Sequence, residues 1–281
     1  MTTIDATLRH ALEISGPDLI LTLDPALQGL PETAHGGSVL AVFDTLAGGT
    51  APREVSGLYR RRVPLGLPLT LVRAREDSAD TFVLSDQAGG VLVDGRVAPL
   101  AAAAGNGTPA QRPEDGPGHP LPISRTCFAC GTDNELGLRA RLAFDADTVR
   151  ATWQPRAPFR RADGTLAPAA LTTLLDEAAF WLGALATGES GMTTELRVAL
   201  HRPAPFEAPV TVSGARTSVR PREADPRYQE TEIVARAGDQ VVATARITFV
   251  VVRGAARRLV SGMLAINDPE SVRRVFPAYT R

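Results

Sequence analysis

The strongest constraint on this chain is an internal repeat in which one copy has lost a motif. Ala34-His35-Gly36-Gly37-Ser38-Val39-Leu40-Ala41-Val42-Phe43-Asp44 returns as Leu166-Ala167-Pro168-Ala169-Ala170-Leu171-Thr172-Thr173-Leu174-Leu175-Asp176. The two aspartates align without a gap, whereas His-Gly-Gly has become Ala-Pro-Ala. The correspondence continues downstream. Pro64 to Leu71 parallels Pro205 to Val212, and Ala88 to Val93 parallels Ala237 to Val242. A repeat of this length is too long for a solenoid unit, and two copies are too few for a propeller. It reads as a duplicated domain in which one of two equivalent sites has kept its chemistry.

The 281 residues suit two domains of ordinary size. Thirty basic residues balance thirty-one acidic ones, so no global field recruits nucleic acid or an anionic membrane. Every basic residue is arginine, which excludes a Schiff-base lysine mechanism. The N-terminus shows no basic-then-apolar signal pattern, and no apolar run approaches the roughly 20 residues that span a bilayer. These features lead to an expected cytoplasmic location without membrane association. Cys127 and Cys130 form a single C-x-x-C, at most two ligands where structural zinc takes four. Nothing in the spacing of His119 or His201 completes such a site. The pair is therefore read as a reduced loop element, with no metal and no redox cofactor expected.

Residues 19–23 read as a first strand, and about 33–46 as a helix that opens glycine-rich and continues apolar almost all round. Strand candidates follow at about 55–63, 68–75, 80–86 and 90–98, punctuated by Pro64, Pro68 and Gly89-Gly90. Residues 99–125, rich in Ala, Gly and Pro, read as a linker. The second half repeats the plan. A hairpin is expected over 138–144 and 148–153, a long apolar helix over 167–186, and strands at about 194–201, 209–219, 227–236 and 240–252. The expected organisation is a domain over 1–98, a linker over 99–125, a second domain over 126–252, and a tail over 253–281. The tail reads as an arginine-rich connector and then a short helix capped by Asn267 or Asp268, with no function assigned. A helix apolar on nearly every face must be surrounded, and a curved antiparallel sheet can wrap it. The fold class is α+β.

A central apolar helix opened by His-Gly-Gly, with an acid nine positions after the histidine, resembles the hotdog-fold acyl-CoA thioesterases, most of all the phenylacetate-pathway (PaaI-like) group. Cys127-Phe128-Ala129-Cys130-Gly131 with Asn134 to Leu138 is similar to that group's opening segment. Leu174 to Ala178 is similar to its helix, and Leu196-Arg197-Val198 with Arg202-Pro203 to its second strand. The resemblance covers roughly 15–98 and 125–252. It implies two tandem hotdog domains joined as a pseudo-dimer, further assembly of double hotdogs into a homo-oligomer, and an acyl-CoA substrate whose coenzyme A is no cofactor of the protein.

In such a pair each site takes a glycine N–H from one copy and an acid from the other. Crossing the copies sets Gly36 opposite Asp176, with Gly37 clearing space, His35 positioning the turn or hydrogen bonding near the thioester, and Thr193 or Thr194 supplying a hydroxyl. Gly36 would donate to the developing oxyanion, and Asp176 would attack or activate water. Family members often carry an asparagine about six residues before the histidine; Gly29 stands there, beside Gln28. The reciprocal site pairs Asp44 with Ala167, Pro168 and Ala169, and proline has no N–H to give. Asp44 is left as a buried relic or as the partner of an arginine. Glu177, about 100 degrees round the helix from Asp176, is expected at solvent or an interface. Phe180, one turn on, is expected to narrow the pocket. Arg60, Arg61, Arg62, Arg202, Arg220 and Arg222 are candidates for the coenzyme A phosphates. Two rivals stand beside hydrolysis. A non-catalytic acyl-CoA-binding module fits the loss of one site, and an enoyl-CoA hydratase lacks its Asp-x-x-x-x-His segment here.

Overall fold

The computed structural model describes residues 2–15, 18–50, 52–100 and 118–280. The N-terminal half runs α1 (Ile4–His10), β1 (Leu12–Ser15), β2 (Asp18–Thr22), α2 (Gly36–Ala47), β3 (Arg53–Tyr59), β4 (Pro68–Glu76), β5 (Ala79–Ser85) and β6 (Val91–Pro99). The C-terminal half runs β7 (His119–Pro120), β8 (Ala143–Phe144), β9 (Thr148–Trp153), α3 (Pro168–Thr187), β10 (Gly191–Leu200), β11 (Val210–Ala215), β12 (Arg220–Pro221), β13 (Tyr228–Ala237) and β14 (Gln240–Val251). The chain closes with α4 (Ala256–Leu264) and α5 (Pro269–Val275).

Both central helices follow from their sequences. α2 and α3 are apolar almost all round, so each must be enclosed. Residues Gly37 to Asp44 are buried without a break in α2, as are Ala169 to Ala179 in α3. One antiparallel sheet encloses both helices, in the order β1-β2-β4-β5-β6-β3-β10-β14-β13-β11-β9-β8-β7. All strands of the first half precede β10 in that order and all strands of the second half follow β3. The halves therefore join edge to edge through β3 and β10, with Val55 opposite Val198 and Gly57 opposite Leu196. This junction leaves neither central strand with an unpaired edge.

The helices meet at their N-terminal ends. A side chain at Gly37 would put its Cβ 2.4 Å from the Thr172 carbonyl oxygen, so only glycine permits this approach. The Thr172 hydroxyl then donates to the Gly37 carbonyl at 2.7 Å, binding the two helices across the repeat.

Several expectations need correction. The strand expected over 138–144 is reduced to Ala143–Phe144. Arg139 has a φ of 54°, and the N–H groups of Leu138 and Ala140 are taken by the carbonyls of Phe128 and Ala129. This segment is committed to the cysteine loop rather than to a hairpin. Within the expected linker, residues 101–117 lie outside the described residues, but Leu121 is in the core and Ile123 is held by the Asn267 side chain. α1 and β1 were not anticipated; Thr3 caps α1, and Ile4 and Leu8 anchor it. The arginine-rich connector is helical, as α4, and buries Ala256, Val260 and Met263. The following helix is capped by Asp268, as its sequence indicated. The 20-residue α3 is long and apolar enough to cross a membrane, contrary to the sequence reading, but 83% of its apolar window is buried inside the protein. It is the core helix of its half.

Candidate active site

A cavity of about 810 Å³ opens where the two halves meet, with His35, Gly36, Tyr59, Asp176, Glu177 and Thr193 around its floor. Asp176 lines it. The Gly37 N–H donates to Asp176 Oδ2 at 3.0 Å, and the Thr193 hydroxyl donates to Oδ1 at 2.8 Å. His35 Nδ1 lies 3.1 Å from Oδ2. The crossing inferred from the repeat is therefore a physical contact, since the acid of the second helix rests on the glycines that open the first. Of the two threonines, Thr193 reaches the acid. Thr194 sits at an irregularity in the β10–β14 register and turns its hydroxyl to the Thr248 carbonyl at 3.2 Å.

His35 stands at the N-cap position of α2, and its ring lies between two acids, with Nδ1 beside Asp176 Oδ2 and Nε2 3.4 Å from Glu177 Oε2. Burial alone would lower the imidazole pKa; hydrogen bonding to Asp176 and Glu177 outweighs it and lifts the pKa well above its usual value. Burial likewise favours protonation of Asp176, but the hydrogen bonds from His35, Thr193 and Gly37 hold its carboxyl below the ordinary range. Asp176 and His35 thus form a close buried carboxyl–imidazole pair. Burial and the nearby Asp176 push the Tyr59 phenol well up, keeping it a donor to the Gly36 carbonyl at 2.6 Å.

Gly36 lies directly against the acid. A Cβ there would stand 2.7 Å from Asp176 Oδ2. Gly36 lines the cavity at the first turn of α2, where its N–H has no intrahelical partner, and no hydrogen bond from that N–H is formed among the described residues. At Gly29 a Cβ would lie 3.0 Å from the His35 Cα, so a larger residue there would crowd the histidine. Gln28 does line the cavity, but its amide is engaged with the Thr126 hydroxyl at 2.6 Å.

Glu177 corrects the sequence reading. It is buried, with Oε1 accepting from Trp181 Nε1 at 2.9 Å and Oε2 facing His35. A single-helix projection missed this because α2 and the cavity occupy the side of α3 that would otherwise face solvent. The cysteine loop closes the same wall. Cys127 and Cys130 are buried free thiols lining the cavity. A hydrogen bond from Cys130 lowers the Cys127 pKa and raises that of Cys130. The proximity of Cys127 to His35 is not visible in sequence spacing.

Phe180 lines the cavity, edge-on to Trp181 at 5.1 Å. Arg60, Arg61, Arg62 and Arg222 lie round the cavity, joined by Arg258 from α4. Arg60, Arg61 and Arg222 already pair with Asp94, Asp86 and Glu195 or Glu230. Arg62 has no acid partner among the described residues, its Nε meeting Met192 Sδ at 3.2 Å. Arg202 is misplaced by the sequence reading. It bonds Gln240 and lines a different cleft beside Pro168, while Arg220 lines neither. The α4 residues Leu259, Gly262 and Met263 complete the cavity wall, a contribution that the charged sequence of the tail concealed.

The equivalent place in the other half is closed. Pro168 occupies the first turn of α3 after the uncapped Ala167, and Ala169 follows it into the core. Asp44 is clamped by Arg53, with Nε–Oδ1 2.5 Å and Nη2–Oδ2 2.8 Å. The cleft left there is about 30 Å³.

A continuous antiparallel sheet wrapped round two central helices, with a site where the halves cross, is a double hotdog fold. The chain resembles a putative thioesterase II from Thermobifida fusca YX at 16% identity, over 90% of this chain and 100% of that one, with a TM-score of 0.63. It also resembles the acyl-CoA thioesterase II TesB2 of Mycobacterium marinum at 12% identity (90% and 100% covered, TM-score 0.57). A dehydratase domain from the CurJ module of the curacin polyketide synthase matches at 10% identity (86% and 94% covered, TM-score 0.54). The fold alone therefore does not choose the reaction. No protein-family model matches the chain, and no curated protein matches it.

Proposed function

We propose that the protein hydrolyses an acyl-CoA thioester at the single open site between its halves. One observation carries this reading: of two equivalent buried aspartates, Asp176 faces a cavity of about 810 Å³ while Asp44 is sealed by arginine beside one of about 30 Å³. In this reading the thioester carbonyl oxygen takes the Gly36 N–H at the positive end of α2. A water held by Asp176 attacks the carbonyl carbon and gives its proton to that carboxylate. The C–S bond then breaks, and the coenzyme A thiolate leaves and takes up the proton. Thr193, His35 and the Gly37 N–H fix the carboxylate in place, so little reorganisation is needed at the transition state. Arg62 at the cavity, which has no acid partner among the described residues, is suited to the phosphates. Free, buried cysteines suit a reducing compartment, and a cytoplasmic location belongs to the same reading.

A second reading has one observation in its favour. Both Asp176 oxygens already accept protein hydrogen bonds, which weakens the group as a base and suits an acyl-CoA-binding module. Thiol release from a panel of acyl-CoA esters separates the two. Hydrolysis requires turnover that falls at least a hundredfold in Asp176→Asn. Tight binding of an ester without thiol release would instead establish the binding module.

A further inference from the structure

The geometry points to a binding site for a zinc-class divalent ion at the floor of the cavity, built from His35, Cys127 and Glu177. The three residues come from separate segments: the N-cap of α2, the loop after β7, and α3. All three are buried, and their donor atoms lie within 4.8 Å of one another. His35 Nε2 is 3.4 Å from Glu177 Oε2, long for a hydrogen bond. Zinc bonds of about 2.1 Å at the tetrahedral angle put neighbouring ligand atoms roughly 3.4 Å apart. A thiolate, a carboxylate and a neutral imidazole together balance a doubly charged ion. The mixed sulfur, nitrogen and oxygen set selects a borderline-soft metal over magnesium or calcium.

The surroundings orient each donor in the way metal sites require. His35 presents Nδ1 to Asp176 Oδ2 at 3.1 Å, the carboxylate–histidine arrangement that leaves Nε2 for the metal. Trp181 holds Glu177 Oε1 at 2.9 Å and leaves Oε2 directed at His35. The Ala129 N–H donates to Cys127 Sγ at 3.3 Å inside a tight turn. That turn is closed by the Gly131 N–H on the Cys127 carbonyl at 2.8 Å. Gly131 is required there, because a Cβ would stand 2.3 Å from that carbonyl oxygen. Three protein donors leave a tetrahedral ion one position for water or a ligand oxygen, and all three donors line the cavity from which either would come. Occupancy is measured without turnover, so this inference stands or falls apart from the hydrolytic reading.

The test uses the full chain, purified with reductant and without a histidine tag. The expected result is about one zinc per chain by elemental analysis. After chelation, cobalt(II) should restore the visible bands of a four-coordinate ion and a near-ultraviolet thiolate-to-cobalt band. Cys127→Ser should lose the thiolate band, and Asp176→Asn should bind roughly tenfold more weakly through the loosened His35. A folded, reduced wild type that takes up neither ion overturns the inference, as does a thiolate band that survives in Cys127→Ser. Should that variant fail to fold, alkylation of the wild type decides. Zinc should slow Cys127 modification at least tenfold, and an equal rate with and without zinc overturns the site.

Discussion

Replacing Asp44 by asparagine should damage stability and spare turnover. Both Asp44 oxygens are held by the Arg53 guanidinium, and the pair is almost wholly buried. Removing one partner of a buried pair costs on the order of 3–5 kcal/mol, because the remaining charge keeps its desolvation penalty. Asparagine retains one acceptor oxygen for the guanidinium, which places Asp44→Asn at the lower end, about 3 kcal/mol. In a chain of this size that corresponds to a fall in melting temperature of roughly 6–9 °C. Urea unfolding and calorimetry measure the loss; thiol release at 25 °C measures the activity of the folded variant. A double replacement, Asp44→Leu with Arg53→Met, should recover much of the loss, since apolar pairs often match buried ion pairs. A denaturation midpoint unchanged in Asp44→Asn would refute the ion-pair argument. A folded Asp44→Asn that no longer releases thiol would show that the second site is alive.

Three further outcomes follow from the geometry. Gly36→Ala should fold but lose on the order of a hundredfold in turnover, because its Cβ would displace Asp176 from the Gly37 N–H and Thr193; parental turnover would show that this carboxylate position is not needed. Arg62→Ala should raise KM for acyl-CoA about fivefold with kcat unchanged, an effect that shrinks with added salt; a salt-independent KM would remove the phosphate contact. Partial burial alone would raise the Asp145 pKa, but the N–H groups of Asp147 and Thr148 with the Arg150 guanidinium lower it from 3.8 to about 2. Its stabilisation is therefore complete above pH 4 and lost as pH falls through about 2. Asp145→Asn should cost about 1 kcal/mol at pH 7, after allowance for solvent screening, and nothing near pH 1.5; a gap that persists in acid contradicts the assignment.

The fold was legible because the repeat and the two apolar helices leave few ways to be buried. Elements whose pattern is mixed were not. α4 carries Arg257 and Arg258 beside Val260 and Met263, so its apolar stripe is narrow and reads as a charged connector. The segment 138–144 has the residues of a strand, yet its N–H groups are taken by the cysteine loop. For the site, crossing the copies places Gly36 and Asp176 together, because a duplicated motif carries its own pairing rule. Glu177 and Cys127 follow no such rule. The contact between Glu177 and His35 spans 142 residues, and the Cys127 loop reaches them through a backbone bond from Phe128 to Gln28.

The asymmetry between the halves has a simple physical form. In each half the strand that follows the central helix supplies the partner of the helix acid. β10 gives Asp176 the hydroxyl of Thr193, and β3 gives Asp44 the guanidinium of Arg53. A hydroxyl satisfies one oxygen and leaves the space in front of the acid open. A guanidinium satisfies both oxygens, neutralises the charge and fills that space itself. Proline at the start of α3 is then no handicap, since its missing N–H is one the helix never uses. A site that needs an oxyanion donor cannot tolerate that residue, whereas a site sealed by arginine has nothing to lose. The two substitutions therefore reinforce each other. With Arg53 closing Asp44 and Pro168 starting α3, the open acid is left at the junction of Asp176 with Gly36 and Gly37.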